Sequence, residues 1–268
     1  MLLKGNNTMK CVELYRKGDH SWLAFGQDPD KPDALIDTNQ IVITSGGETM
    51  LIDPGGSEIF PSMVAALTSR LPIERLRHLL ISHQDPDVGS SVGLWRRVCG
   101  DNLSVHASWM WTSFLAHFDG DSAFVSVPDE GSVIRLGGRE IHLLPAHYLH
   151  SPGNFSVYDP GARMLFSGDI GAALIPAHKQ RSFFVENFTE HAGYMQGFHE
   201  RWMGSAPARD AWVAMVSRLD IDILAPQHGL IFRGDDIKRF LDWLMTVKIG
   251  SGLGAYEKAA RRSFRAKA

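Results

Sequence analysis

The chain is nearly without cysteine. Cys11 and Cys99 stand far apart and form no C-x-x-C pair, which excludes a disulfide scaffold and a thiolate metal site and points to free thiols in a reducing compartment. Long apolar runs are also missing. None approaches the roughly 18 residues that a membrane span needs, and the opening MLLKGNNTMK lacks the apolar core of an export signal; a cytoplasmic location is expected. Charge of one sign is lacking too. A net charge of -3, from 27 basic and 30 acidic residues, gives no electrostatic case for nucleic acid or a membrane surface as partner. There is no internal repeat, no low-complexity tract and no linker long enough to divide the chain. One domain is expected over residues 1–249, followed by a basic, glycine-punctuated tail over 250–268. That tail reads as a partly ordered terminus, with a partner-docking helix as the alternative.

Histidine, by contrast, is plentiful, with 12 in 268 residues. The most informative stretch is Leu79 to Ser91, LLISHQDPDVGSS. A short apolar run bounded by polar turn residues reads as a buried strand. It stops at Ser82-His83, and His83, Asp85 and Asp87 then follow at alternate positions. Pro86 has no N–H to give a sheet and Gly89 loosens the backbone, so these three side chains are expected on a loop at a strand end, where open α/β sheets build their sites. Taken alone, the stretch could equally be a solvated acidic turn.

The same arrangement recurs. IHLLP is followed by His147 and His150, MLFSG ends in Asp169, and IDILAP is followed by His228. Each of these alone is ordinary, a surface histidine, a turn-forming aspartate or a capped strand end; together they suggest a common site. Three imidazoles, counting one of His147 and His150, and three carboxylates are too many ligands for one tetrahedral zinc. They suit two metals sharing a carboxylate, and a nitrogen and oxygen set of this kind accepts iron, manganese or zinc.

Elsewhere the chain reads as short strands and interspersed helices in layers. CVELYRKG, HSWLAFG, IVIT and TMLID are strand-like, with SGGE a tight hairpin turn. PSMVAALTSRL has helical spacing, SSVGLWRRVCG a helix ending at Gly100, and SVIRLGGREIHLLPA a hairpin turning at Gly137-Gly138. WMWTSFLAHF reads as a helix or an irregular apolar segment. Residues 172–190 lack periodicity and read as a loop or lid. Helices are expected over Ala192 to Met203, after Pro207, and over DDIKRFLDWLMTV.

TMLIDPGG, LLISHQDPDVGSS, LLPAHYLHSPGNFSVYDPGARMLFSGD and DIDILAPQHGLIFRG resemble the metallo-β-lactamase fold, and within it most closely the diiron domain of flavodiiron proteins and the stand-alone oxygen-binding diiron proteins. The resemblance covers most of residues 35 to 235 and implies an αββα sandwich. It also implies that His83, Asp85 and His150 hold a first iron, that Asp169 bridges, and that Asp87 and His228 hold a second iron with an open position. Asp53 would support the site loop without binding metal. The flavodiiron motif is H-x-E-x-D-H and most hydrolases of the fold carry H-x-H-x-D-H; here Asp85 replaces the Glu and Val88 the last His.

Two irons are therefore expected, with zinc or manganese as alternatives and no FMN on this chain. Dioxygen or nitric oxide is the expected ligand, bound reversibly or, as an oxidoreductase fed by a separate reductase, reduced. A separate reductase or a signalling partner is implied, and a homodimer by analogy. The competing readings are a dinuclear zinc hydrolase of an ester, thioester, lactone or phosphodiester, and a sensor without turnover that signals through the lid or the tail. His147, Tyr148, Phe183, Phe184, Tyr194 and Trp202 are candidates to surround the site, each weighed against ordinary core packing.

Overall fold

A computed structural model describes residues 9–120, 123–180 and 182–265. Its strands alternate in side-chain direction, and both faces are apolar. Along β1 (Lys10–Lys17), β2 (His20–Gly26), β3 (Gln40–Ser45), β4 (Glu48–Ile52) and, after helix α1 (Phe60–Thr68), β5 (Leu76–Ile81), alternate residues serve two different cores. Trp22, Ile41, Ile43, Met50, Ile52 and Leu80 pack inward between two sheets, whereas Leu23, Phe25, Val42, Leu51, Leu79 and Ile81 pack outward. A strand buried on both faces must sit inside a layered structure.

After β5 come the single turn α2 (Pro86–Gly89), α3 (Val92–Cys99), β6 (Ser104–Ser108), α4 (Thr112–Asp119) and β7 (Val125–Val127), which complete a seven-stranded sheet in the order β1 to β7. Its first four strands are antiparallel and its last four parallel. The second sheet holds β8 (Ser132–Leu136), β9 (Arg139–Pro145), β10 (Phe155–Asp159), β11 (Met164–Gly168), then, beyond helices α5 (Phe188–Trp202) and α6 (Ala206–Val216), β12 (Ile223–Pro226) and β13 (Phe232–Arg233). Helix α7 (Asp235–Thr246) follows. Ile237, Phe240 and Leu244 of α7 join Met195 of α5 and Trp212 of α6 on the outer face of this second sheet. Trp95 of α3 and Leu115 of α4 cover the outer face of the first. Three apolar layers thus separate helix, sheet, sheet and helix, the expected αββα sandwich.

Local signals account for the boundaries. Gly100 and Gly120 end α3 and α4 at φ +69° and +76°, a conformation a β-carbon disfavours. Asn187 and Ser205 cap α5 and α6 by accepting N–H bonds from Glu190 and Ala208. The Asn187 cap starts α5 at Phe188, four residues before the expected start at Ala192; no apolar periodicity announces that first turn. In the tail, Gly254–Arg265 form helix α8, whose Tyr256 is 76% exposed, with Leu253 before it at 67%; residues 266–268 lie outside the described residues. No helix among the described residues is long and apolar enough to cross a membrane.

One buried carboxylate ties the two sheets at the end away from the strand-end histidines. Asp159 of β10 is 1% exposed. Its Oδ2 accepts from His20 Nε2 at 2.7 Å and from Trp22 Nε1 at 2.8 Å, both on β2, while Oδ1 accepts from the backbone N–H groups of Gly161 and Ala162. Burial works against the Asp159 charge, but the bonds from His20 and Trp22 outweigh it and hold the carboxyl below its ordinary range. Removing one member strands the others without water. Asp159→Ala is expected to cost about 3–5 kcal/mol, read as a lowered urea midpoint of the purified chain.

Candidate metal centre

Sheet geometry brings the candidate ligands together. β4 and β5 are parallel, and β11 and β12 are parallel, so the segments following them leave the sandwich at one end. The end of β9 and the start of β10, which are paired at Pro145 and Phe155, reach the same end.

His83 follows β5 through Ser82 and is 2% exposed. The residues after it do not remain a loop as expected. Asp85 stands in extended backbone, and Pro86, whose missing N–H costs nothing in a first helical turn, opens α2 with Asp87 in that turn. His150 sits in a tight loop with the left-handed φ of +111°. A non-glycine residue held there is strained. The surrounding bonds hold it: Tyr148 N–H to Ser151 O, Ala146 N–H to Asn154 O, and the Asn154 side-chain amide to Leu149 O. Asp169 follows Gly168, whose φ of +61° suits the turn out of β11.

The ligand atoms face one another. His83, Asp85, His150 and Asp169 each offer an atom within 4.8 Å of the others. Asp169 Oδ2 lies 3.7 Å from His83 Nε2 and 3.5 Å from His150 Nε2, while Asp85 Oδ2 is 2.9 Å from His150 Nε2. On the other side, Asp169 Oδ1 lies 3.5 Å from His228 Nε2, and Asp87 Oδ2 is 3.3 Å from the same nitrogen. The two oxygens of Asp169 therefore face two different groups of side chains. His83 Nε2 and Asp169 Oδ1 are buried with no hydrogen-bond partner. Buried polar atoms are ordinarily satisfied, and one open atom in each of the two groups, a nitrogen and an oxygen, is a donor set that fits divalent cations.

Supporting contacts fix these side chains. Asp53, fully buried and at φ +49°, accepts from Ser82 N–H and from Ser82 Oγ at 2.8 and 2.6 Å, and Ser82 Oγ lies 2.9 Å from His83 Nδ1. It thus reaches the histidine through one hydroxyl. Burial pushes the Asp53 carboxyl up to about 8, against the Ser82 bonds. His228 Nδ1 donates to Asp37 O at 2.9 Å, which leaves Nε2 free to face the cluster. Gln84 Nε2 donates to Asp85 Oδ1 and Gln84 Oε1 accepts from Ser151 Oγ, joining the first motif to the His150 loop.

The other candidates have partners elsewhere. His147 Nε2 bonds to Asp129 O and its ring lies edge-on to Phe155. Tyr194 Oη donates to Glu190 and accepts from Lys179 Nζ. Tyr148 is 55% exposed, Phe183 packs between the sheets, and Phe184 lies under the Arg233 guanidinium. The aromatic ring against the site is Phe198, 5.9 Å from His150 between ring centres, and Trp202 stacks on it at 5.2 Å. Phe198 was unmarked in the sequence, as were Gln84, Ser151, Asp37 and His199. The fully buried His199 accepts from Gly171 N–H, two residues after Asp169.

Fold and cluster together define a metallo-β-lactamase-fold protein with a histidine and aspartate centre of metal-ligand type. The family model described as ODP family beta lactamase matches residues 36–229, and the chain belongs to that family. Two solved structures of the chemotaxis sensor ODP match at 35% identity, covering 91% of this chain and 97% of theirs. One, its peroxy diiron species, superposes with a TM-score of 0.79, and the other, its apo state from T. denticola, with 0.81. A flavo di-iron protein mutant from Thermotoga maritima shares the fold at 20% identity and a TM-score of 0.74, over 89% of this chain and 61% of that one. An uncharacterized protein of Methanocaldococcus jannaschii is 23% identical over 78% of this chain, which spans 54% of that relative's length.

The electrostatics of the metal-free cluster give a pH prediction. Burial disfavours the His228 cation, but the Asp169 charge and the Asp87 hydrogen bond outweigh it and raise the imidazole to about 9. Because this value exceeds the ordinary 6.5, the stability it contributes is fully present below about pH 6.5 and is lost as pH rises through about 9. The metal-free protein is expected to lose urea resistance across that window. Metal uptake must expel the His228 proton, so apparent metal affinity should rise over the same range, measurable as proton release in weakly buffered titrations.

Proposed function

We propose that this chain is a non-haem diiron protein that binds dioxygen or nitric oxide. The observation that carries the reading is Asp169, buried between two sets of ligand atoms with one oxygen toward each. His83, Asp85 and His150 would hold one iron with Asp169 Oδ2, and Asp87 and His228 the other with Asp169 Oδ1. Two ferrous ions held side by side supply a place where a diatomic molecule can bind and its acquired charge be shared. The relationship to ODP, a chemotaxis sensor solved in a peroxy diiron state, supports iron over zinc and sensing over turnover.

The chain's own residues do the rest. Asp87 and His228 make up a sparse ligand set, which leaves room for an exogenous ligand beside the second metal. Phe198, 6% exposed and stacked under Trp202, lines the His150 side of the cluster with an apolar ring. The Ser82 hydroxyl, held by Asp53, and the Asp37 carbonyl fix the outer nitrogens of His83 and His228, so that each imidazole would present Nε2 to a metal in neutral form. Val88 is fully buried in the outer apolar layer, where the hydrolases resembled carry a metal-binding imidazole; that substitution disfavours the hydrolytic reading.

Purified under anaerobic, iron-replete conditions, the chain is expected to hold about two irons. The reduced protein should gain a visible absorption band when exposed to oxygen. Two zincs, no such band and turnover of a model ester would overturn the proposal. Asp169→Ala should abolish both metal positions together, whereas Asp87→Ala should cost only one, as read by metal analysis.

A further inference from the structure

The turn that carries His228 is held by a segment far away in sequence. Asn39 is 3% exposed. Its backbone N–H donates to Gln227 O at 2.6 Å, and its side-chain Nδ2 donates to Pro226 O at 3.0 Å and to Gly229 O at 2.9 Å. One residue thus binds the carbonyls before, beside and after the histidine. Two residues earlier, Asp37 O accepts from the His228 ring. Room for the amide is made across β2. A β-carbon on Gly26 would come within 3.0 Å of Asn39 Oδ1 and 3.1 Å of Thr38 O, tighter than ordinary van der Waals contact.

We propose that Asn39 is the positioning residue of the second metal position: through three hydrogen bonds to the Pro226–Gly229 turn it sets where His228 Nε2 lies, without touching metal or ligand. The inference rests on the two-metal reading above. Selectivity follows from the wiring. The first position is braced by Asp53 through Ser82 and by Gln84 with Ser151, none of which meets Asn39. Deleting the side-chain donors leaves two carbonyls of a buried turn unpaired and frees the turn to relax. A second metal with few protein ligands has nothing to compensate for a displaced imidazole.

The test is a cobalt(II) titration of the metal-free full-length chain, followed by its visible d–d bands, with thermal unfolding recorded beside it. The wild-type chain should take up two equivalents. Asn39→Leu, close in size and without a donor, should weaken the second equivalent about 10- to 100-fold and leave the first in place, as Asp87→Ala does more completely. Unchanged uptake of both equivalents in Asn39→Leu, or equal weakening of both, overturns the inference and leaves the two-metal reading standing. A wild-type chain that takes up one equivalent overturns both. If Asn39→Leu fails to fold, Asn39→Ser, which keeps one hydroxyl donor, replaces it, with a smaller loss confined to the second equivalent expected and the same contrary outcomes decisive.

Discussion

A carboxylate that water barely reaches governs this molecule. Asp169 is 3% exposed, and its Oδ1 has no hydrogen-bond donor. Burying such a charge is costly unless positive charge meets it. Three imidazoles converge on it from three different loops, and two more aspartates stand behind them. Burial by itself would keep these histidines neutral, and does so for His83, which is lowered despite Asp169 and Asp85. For His150 and His228 the surrounding carboxylates win, and both are raised. The metal-free protein therefore neutralises its acidic centre with protons, which cations can replace.

The architecture divides its polar interactions between two ends. At one end the sheets are joined by a self-sufficient lock of Asp159, His20 and Trp22, in which both carboxylate oxygens are used. At the other, the six facing side chains leave two buried atoms without partners among themselves. The first end is satisfied by the chain alone; the second holds a cluster that could take a metal ion. Loops at that end come from both sheets, so the facing side chains are gathered by strand pairing in each.

Much of this was legible in the sequence because it follows from short-range chemistry. Apolar runs stopping at His83, His150, Asp169 and His228 marked strand ends, and parallel pairing in each sheet then gathers those ends on one side of the sandwich. Gly100 and the Gly137-Gly138 pair announced a helix stop and a hairpin by backbone freedom alone. What escaped depends on contacts between distant segments. Asn39 reads as an unremarked polar residue before a strand, and its partners lie nearly two hundred positions away. Asp37 acts through its carbonyl oxygen, which every residue has, so no side-chain pattern could reveal it. Phe198 and His199 sit in a helix whose polar residues obscure its buried face, and His147, adjacent to a true site loop, turned instead to a backbone oxygen of Asp129.

The hairpin turns that face each other at the locked end carry a mechanical implication. Gly46 and Gly137 meet backbone to backbone, and a β-carbon at Gly137 would strike the Ser45 carbonyl while one at Gly46 would strike Gly137 itself. The Glu48 carboxylate of the first sheet adds a bond from the Gly137 N–H at 2.7 Å. The two sheets are pinned at that point like the covers of a book at its spine. The opposite edge, where His83 and His228 lie on either side of Asp169, has no such backbone contact among those described.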